Sequence, residues 1–288
     1  MSRLVGVHGI AQQQVGRHQL QAPWARALAD GMERSAGRRV AVPAFDIAFY
    51  GDLFLPASAG GAAKGSDRDD GAVWDDVTDE EINDLVAGAG EVLSEDKLAA
   101  AQIPRNKGFG RIPLPLQAMV AAMDRRFGAH AGGLFVGELR QVRRYLLDPG
   151  LKTAADARVT ETVTEQCQIL IGHSLGSVVA FELLRQHPER RLDLLITLGS
   201  PLGLRAIRHL MPDPEFGAAE GVPANVGGWV NLRDPRDPVA CAGSLTGWWP
   251  GIRDGMVDNQ RSAHSVERYL SKKQTGDAVL SVVPELAA

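Results

Sequence analysis

One five-residue pattern in the sequence contains a side chain that could act as a nucleophile. Residues 172–176 read Gly-His-Ser-Leu-Gly, which places Ser174 between two glycines. The apolar run QILI precedes the pattern, and a stretch with helical spacing of apolar residues follows it. A serine on a very sharp strand-to-helix turn exposes its hydroxyl, and glycines two positions away avoid side-chain collisions. The pattern predicts a nucleophilic serine; the alternative is a glycine-rich turn with a capping serine.

A serine hydroxyl needs a base, usually histidine, and a carboxylate that holds the imidazole in the correct tautomer. Two acidic candidates, Asp234 and Asp237, follow the apolar run WVNL in the segment NLRDPRDPVA. Of the seven histidines, His264 alone comes after both, directly before a short helical stretch. Asp-Pro pairs also form turns without any catalytic role. At least one of the two aspartates is therefore expected to be a turn former.

This combination resembles the α/β-hydrolase superfamily and is most similar to its lipase/esterase-like branch, whose nucleophile motif reads GHSLG. The likeness covers residues 4–49 and 167–270. It implies the chain order Ser, Asp, His, and thus a catalytic triad of Ser174, Asp237 and His264. Asp237 is preferred because the family's acid often lies in an Asp-Pro-Val turn, and Asp234 remains the alternative.

The resemblance also implies two backbone donors for an oxyanion. One is the N–H of Leu175, the residue after the nucleophile. The other is the N–H of Ile10, because VHGIAQQ resembles the His-Gly element that follows the family's first site-forming strand. We interpret His8 as a residue that packs against this loop. His173 is interpreted as structural, since it is too close in sequence to fold back onto Ser174.

The elements that must position these residues alternate along the chain. Apolar strands are expected at residues 3–9, 39–51, 167–171, 192–198 and 227–233, and helices at 23–37, 175–187 and 265–271. Strands that are apolar throughout and separated by helices predict an α/β fold, with a mostly parallel central sheet and helices on both faces.

Residues 52–148 interrupt this alternation. They contain a Gly/Ala/Asp-rich stretch, an acidic segment typical of a first helical turn, and helical spacing in 116–128 and 134–148. The predicted core contacts in the last segment are Leu134, Val136, Leu139, Val142, Leu146 and Leu147. We expect residues 1–288 to form a single domain, in which 52–148 are a largely helical insertion or lid.

Composition argues against several function classes. The chain has 288 residues, 44% of them hydrophobic, and a formal net charge of −4. The absence of a Lys/Arg-rich run argues against nucleic acid or an anionic membrane as a partner. No apolar stretch approaches the roughly 18 residues of a membrane span, and the N-terminus lacks a signal-peptide core. We expect a cytoplasmic protein in which Cys167 and Cys241 are reduced thiols, with a disulfide as the alternative.

The sequence thus predicts a serine hydrolase that cleaves a small-molecule or lipid carboxylic ester through an acyl-enzyme. The same triad could cleave a thioester, amide or peptide, and a non-catalytic binding or effector module is a further alternative. HExxH, CxxC, Walker A and full GxGxxG patterns are missing, so no metal or cofactor is expected. Trp248 and Trp249 are interpreted as packing residues, with a place in a substrate pocket as the alternative. The oligomeric state stays open.

Overall fold

The computed structural model describes residues 2–10, 12–13, 15–55, 77–94, 96 and 112–287. Six strands form one parallel sheet in the order β2-β1-β3-β4-β5-β6. The strands are β1 (Leu4–Val7), β2 (Phe45–Ala48), β3 (Ile169–His173), β4 (Leu194–Leu198), β5 (Trp229–Arg233) and β6 (Arg253–Met256). The expected α/β fold with a parallel central sheet is therefore confirmed.

Helices cover both faces of this sheet. They are α1 (Arg17–Ala36), α2 (Asp79–Gly90), α3 (Leu114–Phe127), α4 (Ala131–Leu147), α5 (Pro149–Thr162), α6 (Leu175–Gln186), α7 (Arg205–Arg208), α8 (Val266–Leu270) and α9 (Lys273–Leu280). Because successive strand residues point to opposite faces, Leu4 joins an apolar cluster with α1, α8 and α9, while Val5 joins the cluster that contains α2 to α6.

The strand order places a topological switch point between β1 and β3. The chain passes from β1 outward to β2 and then returns to the other side of β1 with β3. At such a topological switch point, the loops after the two central strands diverge to opposite faces of the sheet and leave a crevice outside their carboxyl ends. Val7 pairs with Gly172 there, so the loop after β1 and the turn after β3 begin at the same level.

Several predicted elements differ from the structure in extent. The expected strand 39–51 is confined to Phe45–Ala48, since the residues before it, including Pro43, are irregular. The edge strand Arg253–Met256 is absent from the predictions because none of its residues is buried, so it lacks the apolar pattern of the central strands. Helix Pro149–Thr162 also escaped prediction, because it buries only Leu151, Ala155 and Val159.

The helical segments expected within 52–148 are found as α3 and α4, and the acidic segment begins α2. Thr78 caps α2 through a hydrogen bond from the Glu81 amide at 3.2 Å, and the Glu81 carboxylate accepts a bond from the Thr78 amide. The expected core position of Leu147 is wrong, because this last residue of α4 is 45% exposed. Residues 56–76, 95 and 97–111 of the proposed insertion lie outside the described residues.

The described part of this segment contributes to the main apolar core. Leu116, Met119, Phe135 and Leu139 belong to the same cluster as Val178 of α6. That it is an insertion or a lid stays a prediction. In the part of the chain that the structure describes, no helix is both long enough and apolar enough to cross a membrane.

Candidate active site

Ser174 lies on a strained turn at the switch point. Its backbone has φ 54° and ψ −127°, a conformation that non-glycine residues rarely adopt. Its amide donates to the Leu198 carbonyl of β4 at 3.0 Å, which ties the turn to the sheet. Helix α6 starts at the next residue, Leu175, so its N-terminal amides and the positive end of its dipole lie beside the hydroxyl.

The two glycines of the pattern are required by close backbone approach. A Cβ at Gly172 would lie 2.6 Å from the Ser177 Cα of the helix that follows. A Cβ at Gly176 would overlap the Val7 carbonyl oxygen at the end of β1. The spacing of Gly172, Ser174 and Gly176 therefore follows from a turn that leaves no room for side chains on either side.

The structure brings two of the three predicted triad residues into direct contact. His264 Nδ1 donates to Asp237 Oδ2 at 2.8 Å and lies 2.9 Å from Oδ1. The buried Asp237 carboxylate also accepts hydrogen bonds from the Tyr269 hydroxyl and the Val239 amide, at 2.8 and 2.9 Å. These bonds hold the carboxylate in one orientation and, with it, the imidazole ring.

Asp234, the alternative acid, has a different environment. Its Oδ1 accepts a hydrogen bond from the backbone amide of Arg236 at 2.8 Å, and its Oδ2 accepts one from the backbone amide of Asn259. The Arg236 guanidinium lies 3.3 Å from Oδ2. Asp234 thus stabilises the turn after β5 and the loop that leads to His264, while Asp237 contacts the histidine itself. The catalytic assignment of either residue stays a prediction.

His173 supports the loop that carries His264. Its Nε2 donates to the His264 carbonyl at 3.0 Å, and the two ring centroids are 4.7 Å apart. Burial and the nearby His264 hold the pKa of His173 well below its usual value, so the ring is neutral. A structural role for His173 accounts for these contacts.

The loop after β1 passes directly beside Ser174. A Cβ at Gly9 would lie 2.8 Å from the Ser174 Cβ. His8 anchors this loop: its ring Nδ1 donates to the Gly9 carbonyl at 2.7 Å and its Nε2 accepts the Tyr50 amide at 3.1 Å. Burial lowers the pKa of His8 to about 4, so the ring is neutral, as these bonds require. Ile10, whose N–H is the second predicted oxyanion donor, follows next in this loop.

Glu138 also lies at this site, although the sequence did not predict it. This residue of α4 is only 2% exposed. The Ser174 hydroxyl donates to its Oε2, and its Oε1 lies 3.3 Å from His264 Nε2. The Glu138 carboxylate therefore stands between the predicted nucleophile and the predicted base. A direct Ser174–His264 hydrogen bond is not among the contacts of the described residues.

The periodicity of α4 contained a signal for Glu138. Phe135, Glu138, Leu139 and Val142 have the spacing of one helix face, and all four are buried. A lone acidic residue on an apolar face is costly to bury unless it has a charged or hydrogen-bonding partner. The pattern thus marks a residue with a polar partner, but the partner's identity depends on how α4 packs against the sheet.

Trp249 is buried among Phe181 and Trp229, with ring centroids at 5.3 and 4.9 Å, and Trp248 covers the Arg208 guanidinium. Cys167 and Cys241 are both free thiols. Within the described ranges, no group of three or more His, Cys, Asp or Glu side chains is placed to hold a metal ion.

No family model, curated protein or solved structure shows significant similarity to this chain.

Proposed function

We propose that this protein is a serine hydrolase of the α/β-hydrolase superfamily that cleaves carboxylic esters. The observation that carries the proposal is the Asp237–His264 hydrogen bond at 2.8 Å, at the same end of the sheet as the strained Ser174 turn. A buried carboxylate bonded to one imidazole nitrogen leaves the other nitrogen for proton transfer to and from a nucleophile. A turn former or a capping serine would need none of these contacts.

In the proposed reaction, Ser174 Oγ attacks the ester carbonyl carbon while His264 Nε2 takes the hydroxyl proton. Asp237 orients the ring and stabilises the imidazolium that forms. The amides of Leu175 and Ile10 donate to the developing oxyanion. The alcohol leaves with the proton from His264, and water, deprotonated by the same base, then releases the acyl group as a carboxylic acid and regenerates Ser174.

The order of the elements and candidate residues along the chain supports assignment to this superfamily. The predicted nucleophile follows a central strand and opens a helix, and the candidate acid and base follow later in the chain, in the superfamily's order of Ser, Asp, His. The proposed substrate is a small-molecule or lipid acyl ester. We also propose a cytoplasmic location, with which the two free thiols are consistent.

A fluorophosphonate probe, which phosphonylates activated serines, tests the proposal. We expect wild-type protein to be labelled on Ser174, as located by peptide mass spectrometry, and Ser174→Ala to remain unlabelled. Ser281→Ala, which removes a hydroxyl bonded within its own helix end to Ala278 at 2.7 Å, serves as the control and keeps wild-type labelling. Equal labelling of Ser174→Ala, or no labelling of any folded form, contradicts the proposal.

A substrate panel then identifies the bond that is cleaved. We expect p-nitrophenyl esters to be hydrolysed faster than acyl-CoA thioesters or aminoacyl amides at equal concentration. A preference for acyl-CoA or for amides would keep the nucleophile and change the reaction class.

A further inference from the structure

The position of Glu138 is incompatible with the reaction just described, because its carboxylate occupies space that the reacting ester needs. The ester's leaving oxygen must lie between Ser174 Oγ and His264 Nε2, because it departs from the carbon that Oγ attacks and receives the proton from Nε2. The Glu138 carboxylate contacts both of these atoms. It thus occupies the place of a leaving group or of a carboxylate product.

Glu138 also changes the protonation of the predicted base. His264 faces Asp237 at Nδ1 and Glu138 at Nε2, the His173 ring packs against it, and the Tyr269 hydroxyl bonds to the same Asp237 carboxylate. Burial alone would lower the pKa of His264, but the two carboxylates outweigh it and raise the pKa to about 10. An imidazolium with two carboxylate partners has no lone pair to accept the Ser174 proton.

A direct role for Glu138 as the base is disfavoured on chemical grounds. A carboxylate is a weaker base than a neutral imidazole in water. Removing a proton from a serine hydroxyl needs the stronger base. The observed contact is therefore better suited to holding the hydroxyl than to activating it.

We propose that Glu138 is a gating residue: while its carboxylate bridges Ser174 and His264 the site is closed, and withdrawal of α4 or of this side chain opens it. This inference rests on the proposed serine-hydrolase function. In the closed form, the leaving-group position is filled and the base is protonated. On opening, His264 loses one carboxylate partner, its neutral form becomes accessible, and Ser174 gains a base. An acyl substrate that binds only the open form shifts the equilibrium toward activity.

The test compares fluorophosphonate labelling rates of wild type, Glu138→Gln and Glu138→Ala between pH 5 and 10. Gln removes the charge and keeps the bulk, while Ala removes both. Glu182→Gln is the matched control, because Glu182 is equally buried and charge-paired, with Arg185 and Lys152, but lies two turns along α6 from the site. Near-UV circular dichroism verifies the fold of each form.

We expect Glu138→Ala to be labelled about tenfold faster than wild type at pH 7, since removing the gate raises the fraction of competent molecules. Wild-type labelling should keep rising toward pH 10, because its base becomes neutral only there. The Glu138→Gln profile should level off nearer pH 7, so its advantage over wild type should shrink as the pH rises. Glu182→Gln should follow the wild-type profile.

The remaining outcomes distinguish failure of the gate from failure of the proposed function. Labelling of Glu138→Ala at or below the wild-type rate across this range, in a folded protein, overturns the gate and leaves the proposed function standing. Absence of labelling in every folded form overturns the function and the gate together. An independent readout is the NMR titration of the His264 ring: an unchanged midpoint in Glu138→Gln contradicts the gate even where Glu138→Ala fails to fold.

Discussion

Ser174 and Glu138 share one hydrogen bond but are held in place by different interactions. Ser174 belongs to a turn bonded to the sheet, and backbone contacts too close for a side chain flank it on both sides. Glu138 projects from the middle of α4, a helix held by apolar packing and by ion pairs to α2, among them Arg143–Asp84 at 2.9 Å. A sheet-bonded turn resists displacement, whereas helices that pack through side chains can slide at lower cost.

The site therefore has a preorganised part and an adjustable part. The preorganised part, which we call the sheet side, comprises Ser174, Asp237 and His264, all on turns and loops outside the carboxyl ends of the strands. The adjustable part, the helical side, is α4 with Glu138. Catalysis requires groups that are already oriented before the substrate arrives, and gating requires an element with two accessible positions. Substitutions on each side should therefore have different consequences.

The largest effect should come from Asp237→Asn on the sheet side, with Asp234→Asn as the comparison. Asp237→Asn should lower kcat/KM for a p-nitrophenyl ester by about 10³- to 10⁴-fold, because the wrong imidazole tautomer is then held. Asp234→Asn should keep kcat near wild type and lower the free energy of unfolding by about 1–3 kcal/mol, since the Asn259 amide and Arg236 lose a charged acceptor. Ester kinetics and urea denaturation measure the two quantities. A greater kinetic loss in Asp234→Asn would reverse the assignment.

A smaller effect is expected from Gly199→Ala, which disturbs the support of Asp237. Gly199 has φ 56°, and a Cβ there would lie 2.7 Å from Asp237 Oδ2 and 3.2 Å from His264 Nδ1. We expect kcat to fall at least tenfold and the free energy of unfolding to fall by about 1–3 kcal/mol.

Gly37→Ala is the matched control for this substitution. Gly37 has a similar φ of 68°, but no atom of the described residues lies within 4 Å of the added Cβ. It should lose about 1 kcal/mol of stability and keep its kcat. An equal kinetic loss in both variants would show that distant backbone strain, and not the contact with Asp237, controls the rate.

The smallest effect should appear on the helical side with Arg143→Gln. Arg143 joins α4 to Glu80 and Asp84 of α2, at 3.1 and 2.9 Å. Its removal should cost less than about 1 kcal/mol of stability and speed fluorophosphonate labelling by roughly twofold at most. The difference from wild type should shrink in 1 M NaCl, because salt screens partly exposed ion pairs.

Lys273→Gln controls for the loss of an ion pair as such. Lys273 pairs with Asp277 of α9 at 2.7 Å, on the face of the sheet opposite α4. Its substitution should leave the labelling rate unchanged. Slower labelling of Arg143→Gln would contradict the proposal that the ion pairs of Arg143 with α2 help to hold α4, and thus Glu138, in the closed position.

The sequence determined the parts of this protein that depend on residues close together in the chain. The Ser174 turn is specified within residues 168–186 by an apolar strand, two glycines and an apolar helix, and the acidic start of α2 by its own first turn. The parallel sheet followed from strands that are apolar throughout. Edge strand β6 and helix α5 were not predicted, because neither buries enough apolar side chains to produce a hydrophobic periodicity in the sequence.

Only the tertiary structure decided which distant side chains meet. Asp234 and Asp237 are both buried and both followed by proline, and the fold of the turn after β5 alone brings Asp237 against His264. Glu138 is 36 residues from Ser174 in the chain. It lies on the buried face of α4, which was not recognised from the sequence, and its contacts depend on how α4 lies across the sheet. Such packing is set by the summed shapes and polar groups of several elements, which no short stretch of sequence contains.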